Sequence, residues 1–336
     1  MREYSGRSYW PAATLLILTI CFFWPAFFKN EIFQFRDLFY FHYPVRYYWA
    51  TLIQNGEMPY LNTALNGGQP ILANPNYATF YPPAWLYVLL PFDSAWNLIF
   101  AGHVFWAALG MYWLARLHHC QRLPAFCAAI TFAFSGTFLS CLNYSNMAIA
   151  GSWLPWVAGT TIQAYYRGGK WSHAATLTLA LQFLAGEPTV TLITALLIGA
   201  GWLVGIMRAD QKRVLVLRGT WILFLSGLLI CIQLIPAILW LPKSARGVGL
   251  DPKQSALFWS LHPARLIEVL VPDYYRNVMS PLLADYWGGS LSDTGYPYIF
   301  RFYCGCVPLL IAPLAWTVPR GKAALLISIA GLALAL

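Results

Sequence analysis

Along the chain, long apolar runs alternate with short basic turns and, twice, with long polar segments. A membrane-spanning helix needs roughly 20 mostly apolar residues. The runs that approach this length are Pro11–Phe28, Ser94–Ala115, Leu123–Tyr144, Met147–Tyr166, Trp171–Gly186, Thr189–Met207, Leu217–Leu241, Phe302–Val318 and Ala323–Leu336. They predict an all-α polytopic membrane protein, a single domain over residues 1–336 with about nine transmembrane helices. The polar interruptions are residues 29–93, a first outer loop, and 242–301, a second outer segment. Within the first, Pro44–Gln54 places Val45, Tyr48, Trp49, Leu52 and Ile53 at helical spacing, with Pro44 suited to a first turn and Asn55-Gly56 to a stop. Such a helix rises only about 16 Å, so it is expected to lie in the membrane interface rather than cross. Trp85–Leu90 is apolar but also too short to cross.

Composition sharpens this picture. Hydrophobic residues make up 59% of the 336 and charged residues 10%, against about 45–50% and about 25% in soluble domains. Sixteen Trp and twenty Tyr suit a chain with many membrane–water boundaries. The net charge of +9 is explained by basic residues held on the cytoplasmic side, and no motif supports nucleic-acid binding. With the N-terminus inside, every short inside loop is basic, as in Arg116 with Arg122, Arg167 with Lys170, and Arg208 with Lys212 and Arg213. Of the acids only Glu3 and Asp210 then fall inside, so the carboxylates gather on the outer face. The seven cysteines lie mostly in apolar runs, and Cys304-Gly-Cys306 lacks the ligand count and spacing of a zinc site. Leu336 falls inside an apolar run, which suits a piece of a longer protein.

The loop Phe35–Pro83 holds the densest chemistry. Asp37, set among aromatic residues in FRDLFYFHYP, suits a general base or a metal ligand; equally it could cap a short helix or pair with Arg36. Glu57, directly after a helix stop, reads as a solvated turn. Glu187, in AGEPT at the outer end of a helical hairpin, is a second acidic candidate, with capping of the next helix as the alternative. In the second outer segment Arg246, Arg265, Arg276 and Arg301 carry the planar guanidinium that suits a phosphate, although each singly reads as a solvated loop charge. His42 and His262 stand alone and make no metal site by spacing. The lack of a Walker loop, GxSxG or HExxH argues against ATP-driven cytosolic and protease chemistry.

Taken together, RDL with the following Pro44 and Arg46, then NGEMPYLN, GGQPILANPN, FYPPAWLYVLLP, FAFSG, SWLPW and LAGEPT, resemble the bacterial YfhO-type membrane proteins of the GT-C glycosyltransferase superfamily. The likeness covers most of the chain and is densest over its first 190 residues. It implies a GT-C-like bundle in the cell membrane that moves a sugar from a polyprenyl-phosphate-linked donor to a cell-envelope glycan or lipid acceptor, on the extracytoplasmic face and with inversion. It also implies that Asp37 is the catalytic acid of the first outer loop, where it would deprotonate the acceptor hydroxyl or help hold a divalent cation (Mg2+ or Mn2+). Arg36, Arg46, Arg246, Arg265 and Arg276 would neutralise the lipid phosphate. A transporter or flippase of lipid-linked glycans, or a non-catalytic envelope scaffold, are the competing expectations.

Overall fold

The computed structural model describes residues 9–65, 67–244, 247, 249, 259–276, 286–292, 294–317, 321, 322 and 325. Helix α1 (Trp10–Phe22) stops at Phe23, just ahead of Pro25, and α2 (Trp24–Phe28) resumes with that proline in its first turn. The ring removes a backbone donor and interrupts the expected Pro11–Phe28 run. A π-helical turn at Leu38–His42 leads into α3 (Tyr43–Gln54), within one residue of the predicted interfacial helix. A small antiparallel ribbon pairs β1 (Leu61–Asn62) with β2 (Gln69–Pro70). Gly67 and Gly68, at φ of +73° and +122°, turn the chain between the two strands in a region side chains rarely enter. Tight 3₁₀ turns at Pro75–Tyr77 and Pro82–Trp85 precede the single-turn α4 (Leu86–Leu89).

Helix α5 (Phe92–Leu117) begins directly after Pro91, with Asp93 in its first turn. The expected Leu123–Tyr144 run becomes α6 (Arg122–Ala133) and α7 (Gly136–Cys141). Met147–Tyr166 becomes α8 (Ser145–Ser152) and α9 (Leu154–Arg167), parted at Trp153 with Pro155 in the first turn of the second helix. Next come α10 (Lys170–Leu184), α11 (Pro188–Arg208) and α12 (Lys212–Trp240), then α13 (Cys306–Ile311) and a 3₁₀ turn at Ala312–Thr317. The expected span Ala323–Leu336 lies outside the described residues except for Leu325. Among the described residues four helices are long and apolar enough to cross a membrane: Phe92–Leu117, Arg122–Cys141, Pro188–Arg208 and Lys212–Lys243. Prolines and the turn at Gly186 leave α1, α9 and α10 at 15 residues or fewer.

The chain divides into two compact units, the first running to Ala133 and resuming over Leu142–Leu241, the second made of Phe134–Cys141 and the segment from Pro242 onward. In the first unit α5 is the central element and packs against α1, α4, α6, α8 and α9. Its contact with α9 is reciprocal. Gly110 of α5 lies against the Trp156 ring and Gly159 of α9 against the Trp113 ring, so that a Cβ at either glycine would overlap an indole. Small residues of this kind let membrane helices approach closely. Trp106, Trp156, Trp113 and Trp171 then stack in series. Polar ties cross between helices as well: Thr160 meets Thr178 at 2.9 Å, and the buried Gln182 amide donates to Ala150 O and Thr194 Oγ1. Asn97 and Trp96 of α5 fasten the start of the first loop, through Asn97 Nδ2 to the Ala26 and Glu31 carbonyls and Trp96 Nε1 to Phe33 O.

The second unit is built on less regular structure. Gly136 N–H donates to Tyr303 O and Arg301 N–H to Ser140 Oγ, which tie α7 to the segment before α13. A 3₁₀ stretch at Pro263–Val269 is buttressed by Tyr275, whose hydroxyl donates to Ala264 O.

Candidate functional site

Asp37 stands at the head of the π-helical turn Leu38–His42, partly exposed. π-Helical geometry is rare and occurs often at functional positions. The carboxylate neither caps the turn nor makes any other hydrogen bond or ion pair among the described residues. Both structural roles open to it from the sequence, a cap or a pair with Arg36, are therefore not taken. Arg36 precedes it at φ +43°, half-buried.

One turn further, the same segment drives two cationic-type side chains inward. Leu38, His42, Val45, Arg46, Trp49 and Ala50 are buried, so the inner face of α3 includes an arginine. Arg46 is 1% exposed. Its Nη1 donates to the Tyr87 hydroxyl at 2.9 Å and its Nη2 to Asn146 Oδ1, while its Nε has no hydrogen-bond partner. Asn146 is the junction. Its Nδ2 donates to Asn76 Oδ1 at 3.0 Å and to Gly186 O at 3.1 Å, and the Ser145 hydroxyl donates to its Oδ1. Gly186 has φ +98° and sits so close to the Pro75 carbonyl and the Asn146 amide that no Cβ fits. The turn that carries Glu187 is thereby joined to Arg46 through a single asparagine. Beside it, Tyr81 O–H lies 2.6 Å from His103 Nε2 and accepts from Trp153 Nε1. His103 Nδ1 is 2.6 Å from Ile99 O, which places the ring proton there and leaves Nε2 to accept from Tyr81.

The guanidinium is surrounded by neutral groups, so its field is felt widely. Burial, and then the Arg46 charge, lower the pKa of His42 to about 3. Burial raises the Tyr87 and Tyr81 hydroxyls against the opposing pull of Arg46. Near the surface, Tyr43 donates to Asp93 Oδ1 at 2.5 Å, and burial together with that bond raises its phenol.

Glu187 is the residue before α11, partly exposed, and its carboxylate makes no capping bond. Glu57 is exposed, as its turn position predicts. In the second unit Arg265 is 2% exposed and donates to Glu268 Oε2 at 2.5 Å and to the carbonyls of Ile299 and Phe300. Burial raises Glu268, with Arg265 opposing. Arg301 binds Asp273 through two contacts of 2.7 and 3.0 Å. Arg276 is exposed at φ +65°, and Arg246 lies outside the described residues.

The structure thus keeps Asp37, Arg36, Arg46 and Glu187 in one unit, with Arg46 and the Glu187 turn linked through Asn146. It commits Arg265 to a carboxylate of its own. Among the described residues no three His, Cys, Asp or Glu side chains converge as metal ligands, and Asp37 would offer a divalent cation one carboxylate, the remaining positions falling to water and phosphate oxygens. Asn146, Asn76 and Tyr87 were missed in the sequence. The only local signal was the polar cluster Asn143–Asn146 between two apolar runs. No protein-family model, curated protein or solved structure matches the chain.

Proposed function

We propose that the chain is a membrane glycosyltransferase that takes a sugar from a polyprenyl-phosphate-linked donor and passes it to a cell-envelope acceptor on the extracytoplasmic side. The observation that carries this reading is the Asp37 carboxylate: partly exposed, bonded to nothing among the described residues, and set at a π-helical turn in a loop otherwise held by hydrogen bonds. An acid left unbonded there is available to accept a proton. In the proposed reaction Asp37 takes the proton of the acceptor hydroxyl while that oxygen attacks the anomeric carbon. The bond from carbon to phosphate oxygen breaks, and the lipid phosphate leaves with the electron pair. Arg36, the neighbouring cation, would stabilise the charge on the departing phosphate. Arg46, fully buried, acts from behind by fixing α3 and the Asn146 junction. The resemblance of the loop to YfhO-type proteins supports the same assignment.

The test is the full chain in proteoliposomes with a radiolabelled sugar on polyprenyl phosphate. Asp37→Asn should lower transfer by about 10²–10⁴-fold, the usual contribution of a general base. Unchanged transfer in that variant removes Asp37 from the mechanism. No transfer by the unmodified chain, with lipid-linked sugar still crossing the bilayer, would favour the flippase instead.

A further inference from the structure

A cavity of about 340 Å³ lies between α9, α10, α11 and α12, away from the Asp37 loop. That volume falls at the lower end of the range for ligand pockets, about 300–1,000 Å³. Its walls are apolar apart from Thr161 and Thr220, since the Trp202 indole N–H is already committed to Leu215 O. Along α11 it runs from Ala195 to Ile206, about 16 Å at the helical rise. The most apolar stretches of α11 and α12 are only 11% and 17% buried in the protein, so these two helices offer the cavity to whatever surrounds them. Around membrane-crossing helices that material is lipid chain.

Beyond the end of this cavity marked by Ile206 and Val216, the turn between α11 and α12 is strongly cationic. Arg208 ends α11 two residues beyond Ile206, and Lys212 and Arg213 open α12 one turn before Val216. All three are exposed, as are Arg167 and Lys170 at the neighbouring turn. Arg218 lies over Gly168, its guanidinium where a Cβ would sit, and donates to Tyr165 O at 3.1 Å. Against these six cations stands one carboxylate, Asp210. Basic clusters beside intramembrane pockets are suited to anionic lipid headgroups.

We propose that this cavity holds one acyl chain of an anionic phospholipid, with its phosphate among Arg208, Lys212 and Arg213. The site is separate from the sugar-transfer reading and stands or falls without it.

The full chain, purified in detergent and stripped of lipid, can be titrated with dioleoylphosphatidylglycerol or dioleoylphosphatidylcholine and its bound copies counted by native mass spectrometry. One phosphatidylglycerol should be retained at least about tenfold more tightly than phosphatidylcholine, consistent with several charge contacts. The surface variant Arg208→Gln/Lys212→Gln/Arg213→Gln should bring the two lipids level. Gly199 lines the cavity with open space where a Cβ would sit, so Gly199→Phe should fill it and remove both lipids. Equal retention of the two lipids by the unmodified chain, or full phosphatidylglycerol binding by Gly199→Phe, overturns the proposal. A doubled mass with no retained lipid also overturns it and gives the groove to a second copy.

Discussion

Arg46 in the first unit and Arg265 in the second are buried to nearly the same extent, at 1% and 2% exposed, and each keeps an Nε without a hydrogen-bond partner. Their surroundings differ in kind. Arg265 has a carboxylate three residues along, with both side chains only 3–4% exposed. Arg46 has a phenol and a carboxamide, brought from 41 and 100 residues away. The first arrangement sets an opposite charge beside the guanidinium, so at Tyr275 and Tyr286 the pulls of Arg265 and Glu268 oppose one another. The second disperses a charge over neutral dipoles, so the field persists and lowers His42 while opposing the rise at Tyr81 and Tyr87. The local ion pair leaves the rest of the guanidinium to the Ile299 and Phe300 carbonyls. A dispersed charge instead binds α3, α4, α8 and the Gly186 turn into one structure beneath the loop that carries Asp37.

The largest expected effect breaks the local pair. Glu268→Ala leaves Arg265 charged and buried without its carboxylate, a change that costs about 3–5 kcal/mol where such pairs have been opened. Hydrogen exchange should show the loss over Pro263–Val269, with Tyr43–Gln54 unaffected. Protection kept in the first segment would mean that the Ile299 and Phe300 carbonyls alone hold the guanidinium.

A second, smaller effect probes how far the dispersed charge reaches. The folded pKa of His42 is lowered to about 3 from 6.5, so between those values the unfolded chain binds more protons than the folded one. His42 therefore supports the fold fully above pH 6.5, and its contribution is lost as pH falls through that window. The slope should approach about 1.4 kcal/mol per pH unit. Thermal unfolding followed between pH 7 and pH 4 should show it, and His42→Leu should flatten it. A variant with the same acid sensitivity as the parent chain would assign that slope to other groups.

Much of this comparison could be read in the sequence, and the unread part has a physical cause. Helix α3 follows from Pro44, Val45, Trp49 and the Asn55-Gly56 stop. Its buried face, however, is turned to include Arg46 and Ala50 and leaves Leu52 and Ile53 only half-buried. Apolar periodicity assigns an arginine to water, because the partners that permit its burial are remote in sequence. Arg265 and Glu268 were closer to legible: a spacing of three places opposite charges side by side on a helical turn. Read singly, however, that arginine is a solvated loop charge, and read with Arg246, Arg276 and Arg301 it is a phosphate ligand. Helices long and apolar enough to cross a membrane, such as α5 and α11, follow directly from their apolar runs, whereas Pro25 and Pro155 mark the breaks that length alone overlooks.

The smallest expected effect is the sharpest test of dispersal. Arg46→Met removes the donor to Tyr87, and an unsatisfied buried hydroxyl costs about 1–3 kcal/mol. Asn146 loses less, since its Oδ1 still accepts from Ser145 and its Nδ2 still holds Asn76 and Gly186. Against this, a charge that no carboxylate compensates is no longer buried, and apolar replacement of buried ionic groups is often neutral or stabilising by about 1–4 kcal/mol. The two contributions oppose, so the thermal midpoint should change little, by the equivalent of about 1 kcal/mol or less. The His42 window should move upward, but only partly, because burial is the larger cause of its lowered pKa. A loss as large as that of Glu268→Ala would show that Arg46 is held by an anionic partner after all, and that the two buried arginines are stabilised in the same way.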